Sequence, residues 1–399
     1  MQVTIVGGGF AGVKAALEIS SSKKNRVTLI SDKKDFQYYP ALYSAATGGS
    51  HLEAWVPLIE IFGTRNNVDI IIDSIITLDK SAQTITGQSG TVYPYHTLVL
   101  AMGAVTTYFG IKGLDEYAYG IKSAEEIEAL KQHLLEEFSH PHQADKHFLI
   151  IGAGPTGVEL SGALGAYLKK LRKHYNQPEP RVTISLIEAA PRVLPRMSEH
   201  TSAIVHKRLQ ELGVKVEVGK KVESATVDAL VVNGKPITSH TVIWTSGVAN
   251  HSFFTQHPDQ FELAKNGKVI VDDYLRSDKN IYVIGDNAAT QFSGLAQTAL
   301  RDGIFVAKHI THRSHKKYVA KMPPVVVPVG KNWAAFEYKK VHMTGSIASI
   351  IRRAADFVGY SDVLPFGQAL GVWSAQMIKE SDYYTSKDIK KAAHVDEEE

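Results

Sequence analysis

The sequence predicts an α/β fold with parallel sheets and two Rossmann-like dinucleotide-binding domains, and two observations carry this prediction. Residues 2–30 contain a short apolar strand pattern, a glycine-rich turn at 7–12, a helical pattern and a second apolar run. Residues 148–187 repeat the same order around a second glycine-rich turn at 152–157. Each stretch is typical of a βαβ unit, in which a helix connects two parallel strands.

The glycines in these turns are spaced as dinucleotide binding requires. The first glycine of each set permits the tight turn, the second lets the backbone approach a pyrophosphate, and the third allows close packing of helix on sheet. The helix N-terminus then offers free N–H groups to the phosphates. The positions are Gly7, Gly9 and Gly12 in the first unit and Gly152, Gly154 and Gly157 in the second. One such pattern is weak evidence, but two in strand–turn–helix context predict two bound dinucleotides.

An acidic residue is expected about 20 residues after the last glycine, where it binds the ribose hydroxyls. Asp32 has this spacing in the first unit. Glu188 lies farther from its glycines in the second unit, at the end of an apolar run, because a basic insert intervenes. A carboxylate there repels a 2′-phosphate, so NADH is favoured over NADPH, although Arg192 lies nearby in the sequence.

Two later segments suit a flavin site. One strand pattern ends at residues 101–103 and another at Gly285 and Asp286. The Asp286 carboxylate is placed to accept hydrogen bonds from a ribityl chain, or alternatively to cap the following helix. That helix begins near Leu295 and would point its positive end at the pyrimidine edge of the flavin.

Composition narrows the chemistry. The chain has 399 residues, which predicts two or three domains, and it contains no cysteine. Disulfides, thiolate nucleophiles and Cys-ligated zinc are excluded, and we expect no metal site. A net charge of +3 gives no sign of a nucleic-acid partner. No apolar run approaches the length of a membrane-spanning helix and no basic leader precedes the first strand, so we expect an intracellular protein.

The pattern changes after about residue 321. Helical stretches at about 345–358 and 366–380 are amphipathic, and an acidic tail at 396–399 is predicted to be disordered. The apolar positions of the first stretch are Ile347, Ile350, Ile351, Ala354, Phe357 and Val358, with Arg352, Arg353 and Asp356 expected on the opposite face. Such helices suit a membrane surface, a dimer interface or packing on the rest of the chain.

Taken together, the motifs resemble those of flavoproteins with two dinucleotide-binding domains, and among them the type II NADH:quinone oxidoreductases. The resemblance covers about residues 1–305. Besides the glycine turns, it rests on short motifs at residues 40–48, 101–103, 188–195, 244–248, 285–286 and 296–299.

The resemblance implies an FAD-binding domain at 1–115 and 265–320, an NADH-binding domain at 116–264 and a C-terminal module at 321–399. It implies that hydride passes from NADH to flavin N5 and that two electrons then reduce a quinone, without proton pumping. It also implies a cytoplasmic protein held peripherally on the inner face of the cell membrane by its C-terminal helices. A homodimer is a further expectation, based on how common symmetric dimers are.

The resemblance also assigns roles to individual residues. Glu159 corresponds to a carboxylate beside nicotinamide and flavin, and with Thr47 and Gln297 it forms the expected catalytic set. The expected FAD-binding residues are Gly7, Gly9, Gly12, Asp32, Thr47, Gly48, Ala101, Gly103, Gly285, Asp286, Ala296 and Gln297. The expected NADH-binding residues are Gly152, Gly154, Thr156, Gly157, Glu159, Glu188 and Gly247.

Three positions depart from the family pattern. Met102 replaces a common threonine, and Ser31 replaces a common aspartate. Arg301 stands where the quinone-site pattern has glutamine, so it would add charge to a pocket for an apolar ring. It would then pair with Asp302 or donate to a quinone carbonyl.

The missing cysteines separate relatives of this fold. Disulfide reductases, sulfide:quinone oxidoreductases and water-forming NADH oxidases all need cysteine, so none of these activities fits. Three alternatives stay open: reduction of a quinone, reduction of a protein acceptor as in ferredoxin-reductase-like relatives, and a non-catalytic FAD- and NAD-binding protein.

Overall fold

A computed structural model describes residues 1–139, 147–175 and 182–377. The α-helices are α1 (Phe10–Ile19), α2 (Leu42–Ala45), α3 (Leu58–Phe62), α4 (Leu114–Tyr117), α5 (Ala124–Ser139), α6 (Pro155–His174), α7 (Glu199–Glu211), α8 (Ser252–Gln256), α9 (Ala296–Ile310), α10 (Ser346–Ser361) and α11 (Phe366–Ala375).

The β-strands are β1 (Gln2–Val6), β2 (Arg26–Ser31), β3 (Asp35–Gln37), β4 (Trp55–Pro57), β5 (Val68–Ile72), β6 (Ile75–Asp79), β7 (Thr84–Gly87), β8 (Val92–Pro94), β9 (Leu98–Leu100), β10 (Ala104–Thr106), β11 (Ala118–Tyr119), β12 (His147–Ile151), β13 (Thr183–Glu188), β14 (Val214–Val218), β15 (Val222–Ala225), β16 (Ala229–Val232), β17 (Lys235–Thr238), β18 (Thr241–Trp244), β19 (Val248–Asn250), β20 (Arg276–Asp278), β21 (Ile281–Val283), β22 (Val325–Pro328), β23 (Ala334–Tyr338) and β24 (Val341–Gly345).

The first large sheet contains the N-terminal βαβ unit. Its strand order is β20-β21-β9-β1-β2-β5, and its pairs are parallel except for the antiparallel edge pair β20–β21. Strands β1 and β9 are apolar and buried at its centre, as expected for a sheet covered on both faces. Helix α1 packs against α9, which places a late segment of the chain beside the first glycine turn.

The second large sheet contains the repeated unit. Its order is β11-β18-β12-β13-β14, with every pair parallel. Helix α6 connects β12 to β13 and packs on this sheet. The predicted α/β class with two Rossmann-like units is therefore confirmed. Smaller antiparallel sheets, β6-β7-β8 and β15-β16-β17, lie outside the two units.

The C-terminal region contains a sheet as well as the two predicted helices. Strands β22, β23 and β24 form an antiparallel sheet, and α10 packs on it. Helix α10 extends three residues beyond the predicted end, and α11 begins where predicted. The acidic tail and the predicted end of the second helix lie outside the described residues.

Helix α10 has two unlike faces, as predicted, and the face with Arg352 and Asp356 is the one turned inward; Arg353, which was predicted on that face, is exposed. Arg352 and Asp356 are 8% and 7% exposed, whereas Ile347 and Ile350 on the outer face are 66% and 68% exposed. The charged side chains face inward because partners on other elements bind them there, as described below. Among the helices of the described residues, none is long and apolar enough to cross a membrane.

Candidate functional site

The first glycine turn forms an open cradle at the N-terminus of α1. A Cβ on Gly7, whose φ is +116°, would lie 2.1 Å from the Ala101 carbonyl oxygen, and one on Gly12 would lie 2.0 Å from that of Gly7. A Cβ on Gly9 would meet nothing within 4 Å. Gly9 is also the N-cap, and no side chain caps the helix. The free amides therefore face open space that fits a pyrophosphate.

The second glycine turn has the same geometry. A Cβ on Gly157 would lie 1.8 Å from the Gly152 carbonyl oxygen, whereas one on Gly154 would meet nothing within 4 Å. Helix α6 begins at Pro155 without a side-chain cap, and Thr156 lies in its first turn. This turn therefore also fits a pyrophosphate.

A cavity of about 560 Å³ lies beside the second turn. Gly152, Glu188, Lys220, Trp244 and Ser246 are among its lining residues. The Glu188 carboxylate accepts hydrogen bonds from the backbone N–H groups of Ala153 (2.6 Å) and Ala190 (2.7 Å). The predicted ribose-binding carboxylate thus lies at the mouth of the glycine turn, held in place by backbone amides.

Arg192 is held by its own loop. Its guanidinium donates to the carbonyl oxygens of Met197 (2.7 Å) and Pro195 (2.9 Å). These bonds fix the side chain beside the loop, so its charge is partly compensated by carbonyl dipoles.

In the first unit, Ser31 and Asp32 have different positions. Ser31 is buried at the end of β2, and its Oγ lies where a Cβ on Gly8 would clash, at 2.5 Å. Asp32 is exposed just beyond the strand. Asp32 is therefore the accessible carboxylate at the end of β2, and Ser31 packs against the first glycine turn at Gly8.

Buried polar groups join the two predicted flavin segments. The Asn287 side chain is fully buried, accepts a hydrogen bond from the Gly103 N–H (3.0 Å) and donates to the Gly103 carbonyl (2.7 Å). The Asp302 carboxylate accepts the Gly285 N–H at 3.0 Å. Asp286 lies between Gly285 and Asn287 in the chain. Burial raises the pKa of Asp286, and Lys268 opposes this effect. Sequence analysis missed Asn287 and the role of Asp302, because neither belongs to the quoted motifs.

The structure also shows whether Asp286 caps helix α9 and whether Arg301 pairs with Asp302. The N-cap of α9 is Leu295 and no side chain caps the helix, so Asp286 is not its cap. The expected pairing of Arg301 with Asp302 was wrong: Arg301 Nη1 donates to the Lys321 carbonyl (2.8 Å), and Asp302 accepts the Tyr318 hydroxyl (2.6 Å). Asp302 is buried inward of α9, whereas Arg301 lies at its half-buried rim, one turn from Gln297.

The segment at residues 38–48 lies between the two units. Helix α2 packs against α6. Thr47 Oγ1 donates to the Tyr43 carbonyl (2.8 Å), and Ala46 is fully buried. Gly48 adopts a left-handed conformation with φ of +78°. Small side chains at 46–48 therefore follow helix α2 where it packs against α6.

Glu159 forms a buried ion pair that the sequence did not indicate. It lies in the first two turns of α6, and Arg352 Nη1 of α10 is 3.1 Å from its Oε1. Arg352 Nε also lies 3.0 Å from both carboxylate oxygens of Asp356. Arg352 Nη2 donates to the Pro40 carbonyl at 2.8 Å. One arginine thus connects α10, α6 and the segment that precedes α2.

The Arg352 cluster has one cation and two carboxylates. Asp356 accepts hydrogen bonds from Arg352, from the Tyr38 hydroxyl (3.1 Å) and from Gln376 Nε2 (3.4 Å). Glu159 has Arg352 as its hydrogen-bond donor among the described side chains. Burial raises the pKa of Glu159 to about 7, although Arg352 opposes the shift. Burial and Arg352 therefore act in opposite directions on the Glu159 carboxyl group, and burial has the larger effect.

Arg352 and the two tyrosines beside it stay protonated near neutral pH. Burial lowers the pKa of Arg352, but Asp356 and Glu159 outweigh this and hold it well above the usual value. Burial raises the pKa of Tyr38 and Tyr43 well above their usual value. Among the groups of this cluster with a shifted pKa, Glu159 is the one whose pKa lies near 7.

Gly247 lies at a close approach of two chain segments. Its φ is +66°, and a Cβ there would lie 2.2 Å from the Thr107 carbonyl oxygen. Trp244 Nε1 donates to the same oxygen at 3.0 Å. The preceding residue, Ser246, lines the cavity beside Gly152.

Two βαβ units with open glycine turns, each with a carboxylate at the end of its second strand, define a fold of the type that binds two dinucleotides. Comparisons with known proteins agree. The sequence profile of the pyridine nucleotide-disulphide oxidoreductase family matches residues 1–303. The type II NADH:quinone oxidoreductase Ndh of Mycobacterium tuberculosis is 30% identical over 335 residues, which cover 77% of this chain and 72% of the relative. The chain therefore belongs to the type II NADH:quinone oxidoreductases within that family.

Other relatives are similar over most of their length. The type II NADH:quinone oxidoreductase of Staphylococcus epidermidis is 27% identical over 77% of this chain and 81% of its own. The structure of NDH2 from Plasmodium falciparum in complex with NADH superposes with a TM-score of 0.84, at 17% identity, over 96% of this chain and 98% of that one. The latter likeness shows that the fold extends through the C-terminal region.

Proposed function

We propose that this chain is an FAD-dependent NADH:quinone oxidoreductase that does not pump protons. When bound, FAD accepts a hydride from NADH and passes two electrons to a quinone. The observation that carries the proposal is the buried Glu159–Arg352 pair, which lies where α6, the segment at 38–48 and α10 meet. Two dinucleotide cradles supply cofactor and substrate to this junction.

The first cradle would hold FAD. The free amides at Gly9 bind its pyrophosphate, Asp32 binds its ribose, and Asp286 accepts hydrogen bonds from its ribityl chain. The uncapped N-terminus of α9 favours negative charge at the pyrimidine edge. The other residues proposed to line the FAD are Gly7, Gly12, Thr47, Gly48, Ala101, Gly103, Gly285, Ala296 and Gln297.

The second cradle would hold NADH. The amides at Gly154 and Thr156 bind its pyrophosphate, supported by Gly152 and Gly157, and Glu188 binds the adenosine ribose. The Glu188 carboxylate disfavours the extra phosphate of NADPH, since like charges would meet at the cavity edge. Gly247 would lie beside the nicotinamide, at the turn that packs against Thr107.

Glu159 would supply a proton to the quinone. Reduction of a quinone by NADH consumes one proton in addition to the hydride, and a carboxyl group with a pKa of about 7 can deliver it and take it up again near neutral pH. Arg352 holds the carboxyl in place and keeps it from being protonated permanently. Thr47 and Gln297 would orient the reacting rings.

The outer face of the C-terminal helices would bind the membrane surface. We name as the apolar surface the exposed residues Ile347, Ile350, Val358, Phe366, Leu370 and Met377. Arg353 lies over Trp373, 5.3 Å from the ring centroid, which adds a basic and aromatic border. We propose peripheral attachment on the inner face of the cell membrane; pairing of two copies through the same surface is the alternative occupant.

These assignments divide the chain into three proposed domains. Residues 1–115 and 265–320 form the proposed FAD domain, residues 116–264 the NADH domain and residues 321–399 the C-terminal module. Arg352 makes the last of these a contributor to the chemistry as well as to attachment.

The test is an absorbance spectrum of the purified protein before and after anaerobic NADH, followed by turnover with menadione. We expect an FAD spectrum that NADH bleaches and steady NADH oxidation with menadione. A flavin that NADH leaves unbleached would contradict the proposal, and activity with an iron–sulfur protein but with no quinone would indicate a protein acceptor.

A further inference from the structure

We propose that Lys122 is a positioning residue for NADH: it holds the turn at Ser246 and Gly247, and thereby the wall of the nucleotide cavity. This inference rests on the proposed function and adds a residue to it. Lys122 belongs to no glycine turn and lines no part of the cavity itself. It acts through the backbone of the turn.

The side chain of Lys122 joins two consecutive carbonyl groups. Its Nζ donates to the Ser246 carbonyl at 3.1 Å and to the Gly247 carbonyl at 2.7 Å. Thr107 N also donates to the Gly247 carbonyl, at 3.2 Å. On the other side of the turn, the Oγ of Ser246 lies where a Cβ on Gly152 would clash, at 2.4 Å. A shift of the turn would therefore move Ser246 against the glycine turn that holds the pyrophosphate.

The backbone of Lys122 is fixed from two directions. Its carbonyl accepts a hydrogen bond from Nε2 of the buried Gln37, at 2.6 Å. Its N–H donates to the carboxylate of Glu126 on α5. Gln37 is on β3, beside the segment at 38–48 that leads to the flavin site. Lys122 thus ties the wall of the NADH cavity to the FAD half of the molecule.

The hydrogen bonds from Lys122 are charge-assisted while its amine is protonated. Burial lowers the pKa of Lys122 to about 8, and Glu126 opposes the shift. The two carbonyls and Glu126 therefore replace only part of the hydration that the ammonium loses on burial. An apolar side chain of similar length would leave the two carbonyls without this donor.

The experiment compares K122M and K122R with K14M. Lys14 is the matched control, since its Nζ donates to the Asp362 carbonyl (2.9 Å) in a partly buried site, and Lys14 is not among the residues that line the cavity. We expect K122M to raise the KM for NADH about tenfold and to slow the bleaching of the flavin by NADH to a similar degree. K122R should recover most of this loss, and K14M should retain the wild-type KM.

A second readout separates positioning from general damage. Reoxidation of dithionite-reduced K122M by menadione should proceed at the wild-type rate, because the turn faces NADH and not the quinone. An unchanged KM in K122M, or equal slowing of reduction and reoxidation, would overturn the inference. Failure of NADH to bleach the wild-type flavin would instead overturn the proposed function. Failure of the Lys122 inference is therefore distinguishable from failure of the proposed function.

Discussion

On helix α10, the face that packs against the protein carries Arg352, Asp356 and Tyr360, whereas the solvent face carries Ile347 and Ile350. Amphipathic helices usually have the reverse arrangement. A buried charge is costly unless it is paired, so the inner face is stable only because Glu159 and Tyr38 meet it. An exposed apolar face of this kind is typical of a docking surface. The proposed function assigns chemistry to the inner face and docking to the outer face, and each face can be altered separately.

The largest effect is expected for R352M on the inner face. The substitution leaves two carboxylates in a buried site without their cation, which should destabilise the fold by about 3–5 kcal/mol and reduce kcat about 100-fold or more. Thermal unfolding and steady-state turnover with menadione measure both. R352K is the matched control and should recover part of each loss. Wild-type stability and turnover in R352M would show that the inner face has no such role.

E159Q should come next in magnitude. Glutamine preserves the hydrogen bond to Arg352 but cannot deliver a proton, so kcat at neutral pH should fall about 100-fold. Because the loss concerns proton transfer, the midpoint of thermal unfolding should change far less than in R352M. Equal turnover of E159Q and wild type would exclude Glu159 as the proton donor.

On the outer face, the double variant I347S/I350S should lose membrane binding. Removing two exposed isoleucines should weaken sedimentation with phosphatidylcholine–phosphatidylglycerol vesicles about 100-fold, while turnover with a water-soluble quinone is retained. I76S, which alters an exposed isoleucine on β6, is the control. If the full-length wild type never sediments with vesicles and forms a dimer that I347S/I350S disrupts, the second copy is the occupant.

The smallest effect is expected for E188A, since Glu188 lies away from both faces of α10. Loss of the carboxylate should raise the KM for NADH about tenfold and narrow the preference over NADPH, because the ribose loses an acceptor and a 2′-phosphate loses a repulsive neighbour. Its pH profile should match that of the wild type. Unchanged kinetics with both nucleotides would contradict the assignment of Glu188.

The features that the sequence predicts depend on contacts between residues close together in the chain. The features that it does not predict depend on contacts between residues far apart in the chain. The need for glycine at position 12 comes from the Gly7 carbonyl within the same turn, so the spacing of the glycines in the sequence was sufficient to predict it. The ion pair of Arg352 joins residues 193 positions apart, and the pattern of α10 is equally compatible with either face turned inward. A helical period shows that two faces differ, but it does not show which one meets a partner.

The C-terminal sheet escaped sequence analysis for a related reason. Strands β23 and β24 are joined by a turn at Lys339, whose φ is +53°. That turn contains neither the Asn-Gly nor the Asp-Gly pair that usually marks a hairpin. Asn287 was missed because it acts through hydrogen bonds to Gly103 and Asn250, which are distant in the chain.

If Glu159 carries an exchangeable proton under the control of Arg352, the pH dependence of kcat must show it. At saturating NADH and menadione, wild-type kcat should fall as pH rises above about 7, because the raised pKa of Glu159 places its loss of a proton there. Since Arg352 lowers that pKa, R352M should move the falling limb to higher pH, and E159Q should abolish it. A falling limb that is the same in all three proteins would contradict the account.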